Sequence, residues 1–159
     1  MAFGADSKVF IYYMGGVLEN TTAMDLDADT FNFALYNNTG TPDATVPAAL
    51  SAYNAADSQW VTANEVTDAT GWPAKGNPIL TPTHAIATNV FTFDAPDLVS
   101  IDTHTTLTNV YGGLCFDDTI AAPVADQGVC FNSFGGVNSV TAGQFTVVFA
   151  GTGIFTVTV

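Results

Sequence analysis

The most sustained alternation of apolar and polar positions lies in the last seventeen residues, Gly143 to Val159. Phe145, Val147 and Phe149 share one parity while Thr146, Val148 and Ala150 take the other, the period of two that a sheet imposes. After Gly151-Thr152-Gly153 the alternation resumes, with Phe155, Val157 and Val159 set against Ile154, Thr156 and Thr158. Three residues with glycine at both ends suit a tight loop, because glycine takes positive φ without steric cost, so the pattern predicts a closing hairpin.

Elsewhere the alternation is shorter. Phe31, Phe33 and Leu35 against Thr30, Asn32 and Ala34 predict a strand from Thr30 to Tyr36, closed by the turn chemistry of Asn37 to Pro42. Further strands are expected at 79–83, 85–93, 98–101, 107–116 and 129–134. Gly112-Gly113 reads as a bulge or a close approach of backbones within the fourth of these, and Gly135-Gly136 as a break after the fifth. Two stretches carry helical spacing instead. Ser7 to Leu18 places Val9, Tyr12 or Tyr13, and Val17 about one turn apart, with Ser7 as a candidate cap; its β-branched and aromatic content also fits a strand, and a short helix is the favoured reading, while Pro47 to Glu65 combines similar spacing with many alanines and predicts one or two short helices or turns. About eight short strands separated by glycine-rich turns indicate a mainly β fold, an antiparallel sandwich or barrel with one or two short helices near the N-terminal half. With no repeat, linker or composition break, residues 1–159 read as a single domain, and residues 1–6 as an N-terminal arm.

Composition narrows the functional classes. The formal net charge is −13, from fifteen Asp and Glu against Lys8 and Lys75, with no arginine. Phosphate binding needs clustered cations, so nucleic acid is not an expected partner, and an anionic bilayer is not either. The longest apolar stretch, Val9 to Leu18, is interrupted by two glycines and is too short to span a membrane. No basic start leads into an apolar run, so no signal peptide is expected and synthesis is expected in the cytoplasm. Cys115 and Cys130 fall on candidate neighbouring strands, where a disulfide is geometrically feasible; buried free thiols are the commoner state in a reducing compartment.

Catalytic and metal chemistry find little support. Asp25, Asp27 and Asp29 open like a calcium loop, yet its sixth position is Thr30 where glycine is needed, and its twelfth is Tyr36 where a bidentate glutamate belongs. An acidic turn whose side chains cap the backbone is the expectation. His84 reads as a turn residue, and His104 beside Asp102 lacks the context of a nucleophile constellation. No phosphate-cradling loop is present. The expectation is a protein that is not an enzyme and that holds no cofactor or metal. Trp60, Trp72 and the tyrosines would support a carbohydrate-binding or adhesion module if they formed an exposed platform; core packing is the expected use.

Three stretches carry a resemblance: Met24-Asp-Leu-Asp-Ala-Asp-Thr-Phe-Asn-Phe-Ala-Leu35, Ala63-Asn-Glu-Val-Thr-Asp-Ala-Thr-Gly-Trp-Pro-Ala-Lys-Gly76 and Thr152-Gly-Ile-Phe-Thr-Val157. In this order they resemble small bacteriophage virion proteins of the head decoration, or capsid cement, type. The resemblance implies a structural protein on the outer capsid surface, partnered by the major capsid protein and by neighbouring copies of itself as a homo-oligomer. A tail or baseplate component is the alternative. Subunit contacts are expected at the chain ends: at Ala2, Phe3, Gly4 and Ala5, and at Ile154, Phe155, Val157 and Val159. The C-terminal strand has neither charge nor proline to guard an edge, so it is either central in its own sheet or completed by a neighbour.

Overall fold

The computed structural model describes residues 7–18 and 24–158. The chain forms, in order, β1 (Lys8–Val9), α1 (Ile11–Leu18), β2 (Phe31–Tyr36), α2 (Ala48–Ser51), β3 (Asn77–Pro78), β4 (Thr83–Ala87), β5 (Val90–Asp94), β6 (Leu98–Val99), β7 (Thr105–Asp117), β8 (Gly128–Gly143), β9 (Thr146–Val147) and β10 (Phe155–Thr158). A 3₁₀ turn at Thr62–Asn64 adds to the helical content of the N-terminal half. The mainly β class and the antiparallel sheets agree with the sequence pattern, and the sheets are open, with no closed barrel. Ten strands are described where about eight were expected, because several are only two residues long.

The element that organises the fold is the β7–β8 pair. These two longest strands run antiparallel at the centre of a five-stranded sheet ordered β1-β8-β7-β2-β3. In the first half of β7, Thr105, Leu107 and Val110 are buried between exposed neighbours; from Gly112 onward nearly every residue is buried on both faces. All six residues of β2 are likewise buried. A strand covered on both faces needs a layer on each side.

The Phe31, Phe33 and Leu35 face of β2 is covered by β5 and by the segment after β9. Phe31 meets Phe93 edge-on at 5.4 Å, and Phe33 meets Phe149 at 5.8 Å. The opposite face, with Tyr36, Leu114 and Phe131, is covered by the loops between residues 44 and 66: Trp60 packs on Tyr36 at 5.0 Å and on Phe131 at 5.8 Å, and Tyr53 stacks on Phe116 at 4.9 Å. Each fully buried aromatic of this kind contributes roughly 2–3 kcal/mol by leaving water. The buried indole and phenol are also satisfied: Trp72 Nε1 donates to the Phe33 carbonyl, and Tyr36 Oη to the Trp60 carbonyl.

Several sequence expectations are corrected. The predicted C-terminal hairpin does not form. The turn itself exists, with the Gly153 N–H donating to the Ala150 carbonyl at 2.8 Å, but β9 pairs with β6 and β10 pairs with β5. The Ile154 N–H donates to the Phe93 carbonyl at 2.8 Å, which draws the chain away from β9 as soon as it leaves the turn. Gly135-Gly136 does not end a strand, since β8 continues through both glycines to Gly143. The single strand expected over 85–93 is a hairpin, because Thr88 and Asn89 take φ of 49° and 65°, the pair of left-handed residues that a two-residue turn requires. Ser7 is not the helix cap: α1 begins at Ile11, and Ser7 Oγ accepts the Ser133 N–H at 3.0 Å. Gly113 is a close approach, as expected, with the Phe33 ring occupying the space of a side chain.

Candidate functional site

Of the predicted contact residues, Ala2, Phe3, Gly4, Ala5 and Val159 lie outside the described residues. The remaining three sit on or beside β10. Two alternatives stood for this strand, and it takes the edge: the second sheet is ordered β10-β5-β4, and among the described residues β10 pairs with β5 alone. Ile154 and Phe155 turn inward, with Phe155 held between Phe93 at 5.5 Å and Tyr13 at 6.4 Å. Val157 is half-buried, while Thr156 and Thr158 face out. What the strand presents laterally is therefore an uncharged backbone edge flanked by two threonines, on a rigid aromatic support.

Beside this strand lies a cleft of about 530 Å³ between the β1–β8 edge and residues 147–156. Val9, Phe134, Val147 and Phe149 give it apolar walls, with Asn132 and Thr152 as polar points. Asn132 Nδ2 donates to the Ile154 carbonyl at 3.1 Å, joining the two walls. Among the described residues that line it, Lys8 and Cys130 are the titratable side chains, and none of them is a carboxylate or an imidazole.

The other chemistry-bearing groups serve the fold. The Asp25–Asp29 stretch is the capping turn the sequence predicts: the Asp27 N–H donates to Asp25 Oδ1 at 2.9 Å, and the Asp25 N–H to Asp29 Oδ2 at 2.6 Å. His84 is not a turn residue. It lies within β4 opposite Phe93, with Nδ1 3.9 Å from Asp27 Oδ1. His104 contacts Asp102 in an exposed turn at 3.4 Å, and its backbone N–H is the main cause holding the Asp102 carboxyl below the ordinary range. Lys75 Nζ pairs with Asp118, and with Asp126 at 3.2 Å, while its backbone N–H donates to Glu65 Oε1 at 2.9 Å and to Tyr53 Oη at 3.0 Å. One cation thus ties the connection after β7 to the loop before β3. Cys115 and Cys130 face each other in the β7–β8 register as buried free thiols. Hydrogen bonding to Cys130 and burial push the Cys115 thiol up, so neither catalytic nor ligand chemistry is poised there.

Sequence reasoning missed two features. Asp117, at the end of β7, is completely buried: Oδ1 accepts the N–H groups of Thr119 at 2.8 Å and Ile120 at 3.1 Å, while Oδ2 has no hydrogen-bond partner among the described residues. Burial, reinforced by nearby Asp29, raises its pKa to about 7 despite the two backbone donors. The second feature is β4, whose five residues are all exposed and which, among the described residues, pairs with β5 alone at the margin of the β10-β5-β4 sheet. The available signal was the run Pro78 to Phe93, which contains no Asp, Glu, Lys or Arg.

Trp60 and Trp72 are fully buried, so neither contributes to an exposed aromatic platform. No protein-family profile, no curated protein and no solved structure matches the chain.

Proposed function

We propose that this protein is a non-enzymatic structural component of a phage particle that binds the outside of the capsid and stabilises it, in contact with the major capsid protein and with neighbouring copies. The observation that carries this reading is β10: an uncharged strand held at a sheet edge on a rigid aromatic base, in a chain with fifteen acidic residues. Natural sheets guard such edges, and an unguarded one fits strand addition by an assembly partner. The burial of both tryptophans removes the main support for a carbohydrate-binding module. The titratable groups described above are committed to capping, pairing or burial, which fits a scaffold role. Nucleic acid is not a partner under this reading, since two lysines provide no phosphate-binding surface.

Imaging particles assembled with and without the protein tests the proposal. Density in a fixed copy number on the outer shell, lost when the protein is omitted, is expected. Density confined to the tail would move the protein to a tail or baseplate role, and absence from the particle would end the virion reading.

A further inference from the structure

We propose that the acidic turn Asp25–Asp29 is a proton-operated clasp: Asp29 closes on a protonated Asp117 at the end of β7, and loss of that proton swings Met24–Asp29 away from the sheet about a hinge at Thr30. The clasp does not depend on the virion reading.

It closes at Asp117. That side chain is completely buried, its Oδ1 accepts two backbone N–H groups, and its Oδ2 lacks a donor among the described residues. The group it meets is another acid. Asp29 is in hydrogen-bonding contact with the Asp117 carboxyl, a placement set by the pairing of Phe31 with Asp117 across β2 and β7. Two ionised carboxylates facing each other in a buried site repel, whereas a protonated Asp117 donates to Asp29 and supplies the missing donor itself. The neighbouring groups leave this proton in place. Tyr13 of α1 and Cys115 of β7 also face Asp117; burial holds the phenol neutral, and hydrogen bonding to Cys130 together with burial holds the thiol neutral. Asp118 is engaged by Lys75, which also pairs with Asp126.

The turn is built to move as one piece. Within it the Asp25 N–H donates to Asp29 Oδ2 at 2.6 Å and the Asp29 N–H to the Asp25 carbonyl at 2.9 Å, so one carboxylate ties the turn together and ties it to β7. Thr30 is fixed without any proton: its N–H donates to Thr119 Oγ1 at 2.7 Å, and its carbonyl accepts the Asp118 N–H at 2.8 Å. Met24 and Leu26 are half-buried against the core, and opening uncovers them. Asp27 faces His84 of β4 at 3.9 Å, an attraction present only with a protonated imidazole. With Asp27 80% exposed that pair is worth little, so Asp29 and Asp117 carry the clasp.

Burial raises Asp117 to about 7 in the closed form, against an ordinary 3.8 once water reaches it. Closure is therefore favoured at acid pH and weakens as pH rises through 7. From pH 5.5 to pH 8.5 the closing equilibrium falls about thirtyfold.

Hydroxyl-radical footprinting of the full chain at these two pH values tests the clasp, with Met14 of α1 as the internal reference. Modification of Met24 and Leu26 should accelerate severalfold at pH 8.5, and at most about thirtyfold, while Met14 is unchanged. Asp117→Asn keeps an amide donor against Asp29 at every pH, so both residues should hold the slow rate throughout. Asp29→Asn places the donor on the turn, facing an ionised Asp117, and should behave alike; it decides the question if the first variant does not fold. Equal wild-type rates at the two pH values, or a pH response that survives in the folded variant, overturns the proposal. An equal acceleration of Met14 also overturns it, since the whole fold would then be loosening.

Discussion

Gly113 has no room for a side chain, because a Cβ there would overlap the Phe33 ring. Gly113→Ala is expected to cost about 1–3 kcal/mol through overpacking, seen as a lower denaturation midpoint. Gly151→Ala, where nothing lies within 4 Å, should change stability little. Asp117 makes a prediction of a different kind. Its folded pKa of about 7 lies above the ordinary 3.8, so the folded state holds a proton that the unfolded chain releases. Its contribution to stability is complete below about pH 4 and is lost as pH rises through 7. Glu65 and Asp126 are also raised by burial and act in the same direction, whereas Asp68, held at about 2 by backbone N–H donors led by that of Thr106, acts only at lower pH. Melting temperature should therefore fall from pH 5 to pH 8, and Asp117→Asn should flatten much of that slope. A wild-type profile flat over this range would contradict the assignment. Gly112-Gly113 was readable as a bulge or a close approach because glycine inside an alternating strand has few other uses, and the register shifts between Val110 and Gly112 while the Phe33 ring crowds Gly113. The buried acid was not readable, since Asp117-Asp118 looks like any polar strand end until the chain after it folds back and closes the site.

Among the elements, what the sequence revealed follows how local the determinant is. The parity of Phe145, Val147 and Phe149 was visible, and so was the Asp25–Asp29 turn, because both depend on residues a few positions apart. The partners of the two C-terminal strands were not visible. Pairing of β10 with β5 depends on Phe93 and Phe155 meeting across more than sixty residues, and turn chemistry at Gly151–Gly153 is compatible with either outcome. The 85–93 run hid its turn for a related reason: Thr-Asn is a weak sequence signal for two left-handed residues. The acidic turn carries its own test. Its carboxylates already accept backbone N–H groups, so adding EDTA should leave the melting temperature unchanged; a loss restored by calcium would contradict the capping assignment. For the contact strands, deleting residues 1–6 should leave a folded protein with reduced capsid occupancy, and full occupancy after deletion would remove the N-terminal segment from the interface.

For the whole molecule, charge and architecture act together. A net charge of −13 on 159 residues is self-repulsive, and screening lengths fall from ~30 Å at 0.01 M salt to ~3 Å at 1 M. Stability should therefore rise from 10 mM to 500 mM NaCl, checked by thermal denaturation, and a flat or falling curve would contradict this. The acids are also unevenly placed: none lies in Pro78–Phe93 or from Gln127 onward, and those stretches supply β8, β9, β10, β4 and all of β5 but its last residue, Asp94. The molecule thus presents acidic loops, while β4 and β10, the margins of the three-stranded sheet, carry no Asp, Glu, Lys or Arg of their own, the feature on which the proposed assembly through β10 rests. Capsid occupancy of the wild type and of Val157→Lys, measured by co-sedimentation with particles lacking the protein, tests that claim most directly. The account predicts saturable wild-type binding at a fixed ratio to the capsid protein, and a variant that stays folded but binds at least tenfold more weakly. Equal occupancy for the two, with the variant folded, would contradict it.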